Sequence, residues 1–271
     1  MSRRQQLLVG AVAYHPRIVT IWERFREYFA EVGVPTDYLL YSNYERQVDA
    51  LLEGDIDIAW NTNTAYVAAE HRIGGDSRLL GMRDVDADFR TVVVTRKGAG
   101  IEQPVELAGR RLALGSRDSG HAAILPLHYL KEAGLQLEES SLLRFDTDLG
   151  KHGDTGDSEV RVVEAVNHGD ADAGALGDAT WVALRTQAHP AVAELEVAWR
   201  SPTYYHCNFT ALSSLDATQA TAWTEALLAM SYDDGTLRAA MDLEGVKRWL
   251  PVDKAGYRTL ETAMREQGYL G

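Results

Sequence analysis

One pattern occurs twice in this chain and constrains its fold more than any other feature. The first copy is Val48-Asp49-Ala50-Leu51-Leu52-Glu53-Gly54-Asp55-Ile56-Asp57-Ile58-Ala59-Trp60, and the second is Val162-Val163-Glu164-Ala165-Val166-Asn167-His168-Gly169-Asp170-Ala171-Asp172-Ala173-Gly174. Each copy reads as the end of an amphipathic helix, a Gly-Asp-x-Asp turn and a short apolar strand. Gly54 and Gly169 stand where a helix needs a left-handed residue to stop, a conformation that only glycine adopts without a side-chain clash. Strands this short and apolar (Ile56 to Trp60, Ala171 to Leu176) are expected inside parallel sheets, buried on both faces. A polar segment follows each strand, Asn61-Thr62-Asn63-Thr64 and Gly177-Asp178-Ala179-Thr180, and then another helix. Open α/β sheets bind ligands at the carboxyl ends of their strands. Two such units predict two lobes, each offering a strand end to a shared cleft.

Length agrees, since 271 residues are many for a single core. The net charge of −13 argues against a nucleic-acid partner, which needs a basic face, and against attraction to anionic lipid. Cys207 is the only cysteine, so no intrachain disulfide and no cysteine-rich metal site is expected. The apolar run Leu7 to Ala13 follows Met1-Ser2-Arg3-Arg4-Gln5-Gln6 at once. It is too short for the core of a secretory signal and reads as the first strand, so a chain starting at Met1 is expected in the cytoplasm; a removed leader would instead place it in the periplasm or on a lipid anchor. No stretch is long enough to insert in a membrane.

Periodicity supplies the remaining elements. Ile18, Ile21, Trp22, Phe25, Tyr28 and Phe29 recur at helical spacing, Pro35 to Tyr41 reads as a strand, and Ser42 or Asn43 caps the next helix. Thr91-Val92-Val93-Val94-Thr95 is β-branched throughout and gives the strongest strand signal. Arg111 to Leu114 is a strand that leads through Gly115-Ser116-Arg117-Asp118-Ser119-Gly120-His121 into a helix over 122–133. Asp146 to Asp157 is polar and glycine-rich and reads as a loop. The fold class expected is α/β, two-lobed, each lobe a mixed sheet flanked by helices and the two joined by hinge strands. The lobes are expected to be 1–92 with 206–271, and 93–205.

The pattern resembles the phosphonate/phosphite-binding subunits of ABC importers, within the type 2 periplasmic-binding fold. The resemblance rests on Leu51 to Trp60 with Ala65-Tyr66-Val67, Leu107 to Ala113 followed by Ser116 to Gly120, Val166 to Ala173 with Gly177 to Trp181, Ser201-Pro202, and Tyr257 to Leu260. It implies an anion held by hydroxyls and amides of a turn before a helix, which Ser116, Ser119 and Gly120 match. It also implies a histidine just ahead of the second-repeat helix. Here that position falls on Glu159, preceded by Ser158, and the turn carries Arg117-Asp118 where relatives carry Ser or Thr. Asp178 matches an acid implied to face a ligand amine. A carboxylate a few ångströms from a phosphonate costs roughly several kcal/mol at an effective dielectric near 20. If Asp118, Glu159 and Asp178 all face the cleft, an amine or zwitterion is the expected partner rather than a dianion.

Candidate chemistry follows from the same positions. His15 and His121 are candidate acid/base groups alongside Asp118 and Glu159. His15 could equally cap a strand end, and Asp118 could simply cap its helix. Asn61, Asn63 and Tyr14 are candidate substrate contacts, and Trp60, Tyr66, Trp181, Tyr204 and Tyr205 candidate walls for an aromatic ligand, although aromatics at strand ends also serve as core. The histidines show no metal-ligand spacing, and no nucleotide or cofactor motif is present, so no metal and no cofactor is expected. Without an export signal, a binding-protein fold in the cytoplasm has no importer to serve. The sequence therefore favours an enzyme performing acid/base chemistry on an amine, for instance a condensation and cyclisation of Pictet–Spengler type in biosynthesis. The alternative is a non-catalytic solute-binding component of a phosphonate-type ABC importer, with a permease as partner, or a cytoplasmic ligand sensor.

Overall fold

The computed structural model describes residues 6–135, 138 and 141–271. Its strands are β1 (Leu7–Val12), β2 (Thr36–Tyr41), β3 (Ile58–Asn61), β4 (Ser77–Arg83), β5 (Thr91–Arg96), β6 (Leu112–Leu114), β7 (Leu142–Arg144), β8 (Ala173–Gly177), β9 (Leu195–Arg200), β10 (Asn208–Leu212) and β11 (Trp249–Leu250). They form two sheets, ordered β11-β4-β10-β3-β1-β2 and β7-β6-β8-β5-β9. The chain divides into two compact units. The first runs to Asp88 and resumes over Tyr205–Arg258; the second is Phe89–Tyr204 with Thr259–Tyr269. Thr259–Tyr269 thus packs with the second unit, where the sequence alone assigns all of 206–271 to the first lobe. Its anchors are a Gln267 Nε2 donor to the Ile124 carbonyl (2.9 Å) and the Tyr269 hydroxyl on the Arg117 carbonyl (2.6 Å).

In the first unit, β1 is flanked in parallel by β2 and β3, while β10 runs antiparallel between β3 and β4. The helix Arg17–Glu31 lays Ile18, Ile21, Trp22, Phe25 and Phe29 on this sheet, the spacing of one helical face. They meet Phe209, Trp223 and Trp249 in an aromatic core. Asn43 caps the helix Tyr44–Glu53 by accepting the Arg46 N–H (2.9 Å), and Gly54 ends it in the left-handed conformation at φ 77°.

The second unit repeats this logic. Gly169 ends the helix Asp157–His168 at φ 86°, and β8 follows. Strand β5 alternates strictly: Val92 and Val94 enter one core with Val162, Val166 and Trp181, and Val93 enters the other with Leu112, Leu114 and Leu130. The two repeat strands are not in wholly parallel surroundings. Strand β3 has β1 parallel on one side and β10 antiparallel on the other, and β8 has β6 parallel and β5 antiparallel. Each central strand is flanked on both sides, β3 by the later strand β10 and β8 by the earlier strand β5 on its antiparallel side. The helix expected over 122–133 begins instead as a π-helical turn, Gly120–Ile124, before the α-helix Leu125–Glu132. Strands β7 and β11, three and two residues long, carry too little pattern to be read from sequence.

Candidate functional site

The second unit gathers a set of polar side chains where β6 and β8 end and two helices begin. Past β6 the chain enters Gly115-Ser116, and the Ser119 N–H donates to the Ser116 carbonyl at 2.9 Å, closing a turn. The Ser119 hydroxyl accepts the Ala122 N–H (3.2 Å) and caps the π-helical turn. A side-chain carbon placed on Gly115 would stand 2.7 Å from Ala122 Cβ and 3.1 Å from Ser158 Oγ. Ser158 is in the first turn of the helix Asp157–His168. Two helix starts therefore meet at one strand end, and their unshared N–H groups give that corner positive character. Ser116, Ser119 and Ser158 are fully buried there. Ser158 Oγ has no hydrogen-bond partner among the described residues.

Glu159 follows Ser158 and is buried, but it is not a bare acid. Oε1 accepts the Gly177 N–H (2.7 Å) and Oε2 accepts the Thr180 hydroxyl (2.9 Å). Its second oxygen also lies 3.4 Å from His121 Nε2. The His121 ring is enclosed, with Phe89 at 5.6 Å between ring centroids. Burial alone disfavours the imidazolium, but Glu159, with Asp154 and Asp178 adding to it, outweighs that cost and raises the His121 pKa above its ordinary value.

The loop 146–157 packs onto the same corner. The Asp148 N–H reaches Ser116 Oγ (3.4 Å), the Gly150 N–H donates to Asp118 Oδ2 (2.6 Å), and Arg117 pairs with Asp146 at the exposed edge. Gly153 is left-handed at φ 90°, and a Cβ on it would stand 2.7 Å from Ser119 Oγ and 3.1 Å from His121 Nε2. Ser119 and His121 thus face one spot. Asp118 anchors this loop rather than standing free as a catalytic acid. Asp178 opens the helix Asp178–Thr186, half-buried; desolvation raises its pKa despite stabilising N–H contacts from Arg90 and Ala179.

The sequence candidates of the first unit have a different setting. His15 is exposed, and its Nδ1 accepts the Arg17 N–H (3.1 Å) just ahead of the helix Arg17–Glu31. Trp60 is core, 4.4 Å from Phe209 and under the Arg83 guanidinium (5.3 Å). Tyr66 is buried against Tyr257 (4.6 Å), and Tyr14 packs partly buried on the aromatic core. Tyr205 is half-buried beside Tyr257 (5.7 Å). None of Trp60, Tyr66 or Tyr14 is a free wall, because core packing had the stronger claim on them. Asn61 and Asn63 are buried at the end of β3. Asn61 Oδ1 accepts from Gln47 (2.9 Å), and Asn63 donates to the Tyr205 carbonyl (3.3 Å). Asn61 Nδ2 and its register partner's Asn208 Nδ2 are buried without a hydrogen-bond partner among the described residues.

Sequence reasoning also missed a buried ionic cluster in this unit. Arg83 grips Asp86 through two hydrogen bonds (2.7 and 2.9 Å) and reaches the Glu244 carbonyl (2.8 Å). His206 Nδ1 lies 3.5 Å from Asp86 Oδ1 and 3.0 Å from Cys207 Sγ. Burial opposes the Asp86 charge, but Arg83 and His206 outweigh it and lower its pKa to about 2. The Arg-x-x-Asp spacing was the only local signal for it.

The family profile described as ABC transporter, phosphonate, periplasmic substrate-binding protein matches residues 10–257. The chain belongs to this family. It is similar to a probable ABC transporter phosphite binding protein, PhnD1, of Prochlorococcus marinus (strain MIT 9301), at 23% identity over 279 residues, 98% of this chain and 91% of that protein. Its fold matches the structure of PhnD1 from that organism in complex with methylphosphonate, with a TM-score of 0.75 at 21% identity, covering 98% and 99% of the two chains. It also matches XAC2383 from Xanthomonas citri bound to ATP, with a TM-score of 0.73 at 18% identity and 98% of each chain. The fold is therefore the mixed α/β fold of type 2 periplasmic-binding proteins.

Membership overturns the expectation of an enzyme. The family is one of substrate-binding proteins, and biosynthetic acid/base chemistry has no support in it. The cytoplasmic expectation is likewise unsupported, because the family is described as periplasmic. No helix among the described residues is long and apolar enough to cross a membrane. The cytoplasmic expectation came from the short apolar run after Met1, and the enzyme expectation from that reading together with weighing the replaced residues, Glu159 above all, as free acids.

Proposed function

We propose that this chain is the solute-binding component of an ABC importer and that it captures a small phosphonate-type oxyanion on the periplasmic side of the membrane. The observation that carries the reading is the buried corner of Ser116, Ser119 and Ser158 at two helix starts, with Ser158 Oγ lacking a partner among the described residues. Hydroxyls and unshared N–H groups at helix starts are donors suited to a tetrahedral oxyanion. The amine preference expected from sequence required bare carboxylates. Both oxygens of Glu159 are instead engaged by Gly177 and Thr180, and its charge lies 3.4 Å from the His121 ring, which offsets it when protonated, so the argument against an anion weakens.

The test is isothermal titration with methylphosphonate, phosphite, phosphate and an aryl amine. The expected result is saturable binding of methylphosphonate or phosphite, weakened at least tenfold in Ser158→Ala, the worth of one hydrogen bond to a charged group. Tight binding of the amine, with no response to any oxyanion, would overturn the proposal.

A further inference from the structure

The buried corner contains a pairing that the capture of an oxyanion does not by itself require. His121 Nε2 faces Glu159 Oε2 at 3.4 Å, and the same nitrogen and Ser119 Oγ converge on the spot next to Gly153. A residue that only filled space there would need no buried carboxylate beside it, because burying a charge is costly unless it is paired. Glu159 is in turn fixed by two donors, the Gly177 N–H and the Thr180 hydroxyl, which belong to the end of β8 and the helix after it. The carboxylate is therefore held rigidly and aimed at the imidazole. Arg117, the neighbouring cation in the same turn, has an exposed side chain paired with Asp146 and does not share this setting.

We infer that His121 is a ligand-binding residue of the oxyanion site, that Glu159 is its positioning residue, and that capture depends on a proton shared within this pair. The inference rests on the proposed oxyanion reading and specifies the cation within it. With the proton in place, the pair is neutral overall and sets the imidazolium, its Nε2 proton directed at Glu159, beside Ser119. An oxyanion held by the serine hydroxyl there meets a positive ring edge without a net buried charge in the empty site. Once the proton leaves, the pair is a net anion and repels the ligand. The groups facing His121 from the surrounding elements act in the same direction. Glu159 comes from the helix Asp157–His168, Asp154 from the loop over the corner and Asp178 from the helix Asp178–Thr186, and all three favour the imidazolium. Phe89 and Gly177 contribute only apolar contact.

The test is titration of methylphosphonate into the wild type, His121→Gln and Glu159→Gln from mildly acid to alkaline pH. Each protein is first checked for folding by circular dichroism. The ligand's own ionisation is common to all three, so differences between their profiles isolate the pair. Wild-type affinity is expected to fall as pH rises through the His121 titration. His121→Gln is expected to bind about ten- to a hundredfold more weakly at acid pH and to lose that extra dependence. Glu159→Gln should bind well only at lower pH, with its midpoint displaced downward. A readout free of substitutions is the wild-type imidazole titration followed by NMR, which methylphosphonate should move to higher pH. Wild-type binding together with an unchanged profile in His121→Gln and an unmoved imidazole titration would overturn the inference and leave the oxyanion reading standing. No binding of any oxyanion at any pH would remove both.

Discussion

Removal of the Glu159 carboxylate is the perturbation whose cost the structure defines most closely. In Glu159→Ala the buried Gly177 N–H loses the acceptor it holds at 2.7 Å. An orphaned buried donor costs about 1–3 kcal/mol. His121, 3.4 Å away, loses the charge that offsets its burial, and the Thr180 hydroxyl loses its acceptor. Breaking a buried pair by deleting one partner typically totals about 3–5 kcal/mol. Glu159→Gln keeps an oxygen for Gly177 and is expected to cost about 1–2 kcal/mol, the size of one ordinary hydrogen bond with its charge assistance removed. Urea denaturation measures both. Because the chain has two compact units, the transition should be followed by a probe in the second, Trp181 or Trp199, with the tryptophans of the first unit as an internal reference. A Glu159→Ala protein within about 1 kcal/mol of wild type would refute the claim that this carboxylate is a buried structural anchor, whatever its effect on binding.

Four further outcomes are expected. The His121 pKa is raised in the folded state, so its contribution to stability is complete below the unfolded value near 6.5 and is lost as pH rises through the folded value; a denaturation series over pH should show that loss, and His121→Gln should flatten it. Asp86 has the opposite sign, with a folded value of about 2, so its contribution is present above about 4 and lost as pH falls through 2; Asp86→Ala should destabilise by about 3–5 kcal/mol at neutral pH, measured by urea. Ser158→Ala should leave stability unchanged or improve it by up to about 1 kcal/mol, since it removes a buried hydroxyl without a partner, while oxyanion affinity falls in calorimetry. Trp60→Ala should lose about 3–5 kcal/mol of stability in thermal or urea denaturation and leave ligand affinity unchanged in the protein that still folds.

Much of this architecture is legible because backbone rules are local. Gly54 and Gly169 stop their helices in the left-handed region as the repeat requires, Asn43 caps as expected, and β5 follows its run of β-branched residues. The fold class follows from those elements in order. The site is less legible, because the partners of its side chains are distant in sequence. Glu159 and His121 are 38 residues apart (159 − 121), and nothing near either one announces the other. A lone Glu where the resemblance implies a histidine therefore reads as a free acid, whereas in the structure it accepts from Gly177 and Thr180. The aromatics are ambiguous in sequence for a related reason. Trp60 lies near the end of its strand and Tyr66 near the start of its helix, positions of a kind that can face ligand or core, and only Phe209 and Tyr257, well over a hundred residues later, supply the core packing they find. Short β7 is paired by β6 alone, so its existence depends on register rather than on composition.

The attachment of Thr259–Tyr269 to the second unit bears on how the molecule is made. That unit opens at Phe89, yet the Gln267 and Tyr269 contacts to Ile124 and Arg117 arrive only after the whole β10–β11 portion of the first unit has been synthesised. The first unit also waits for late chain, its β10 and β11 being synthesised only after the whole second sheet. Each unit thus depends on chain that emerges late, and the nascent protein spends its synthesis with the first sheet incomplete and the second unit short of its last helix, a state that favours holding by chaperones until that helix is released.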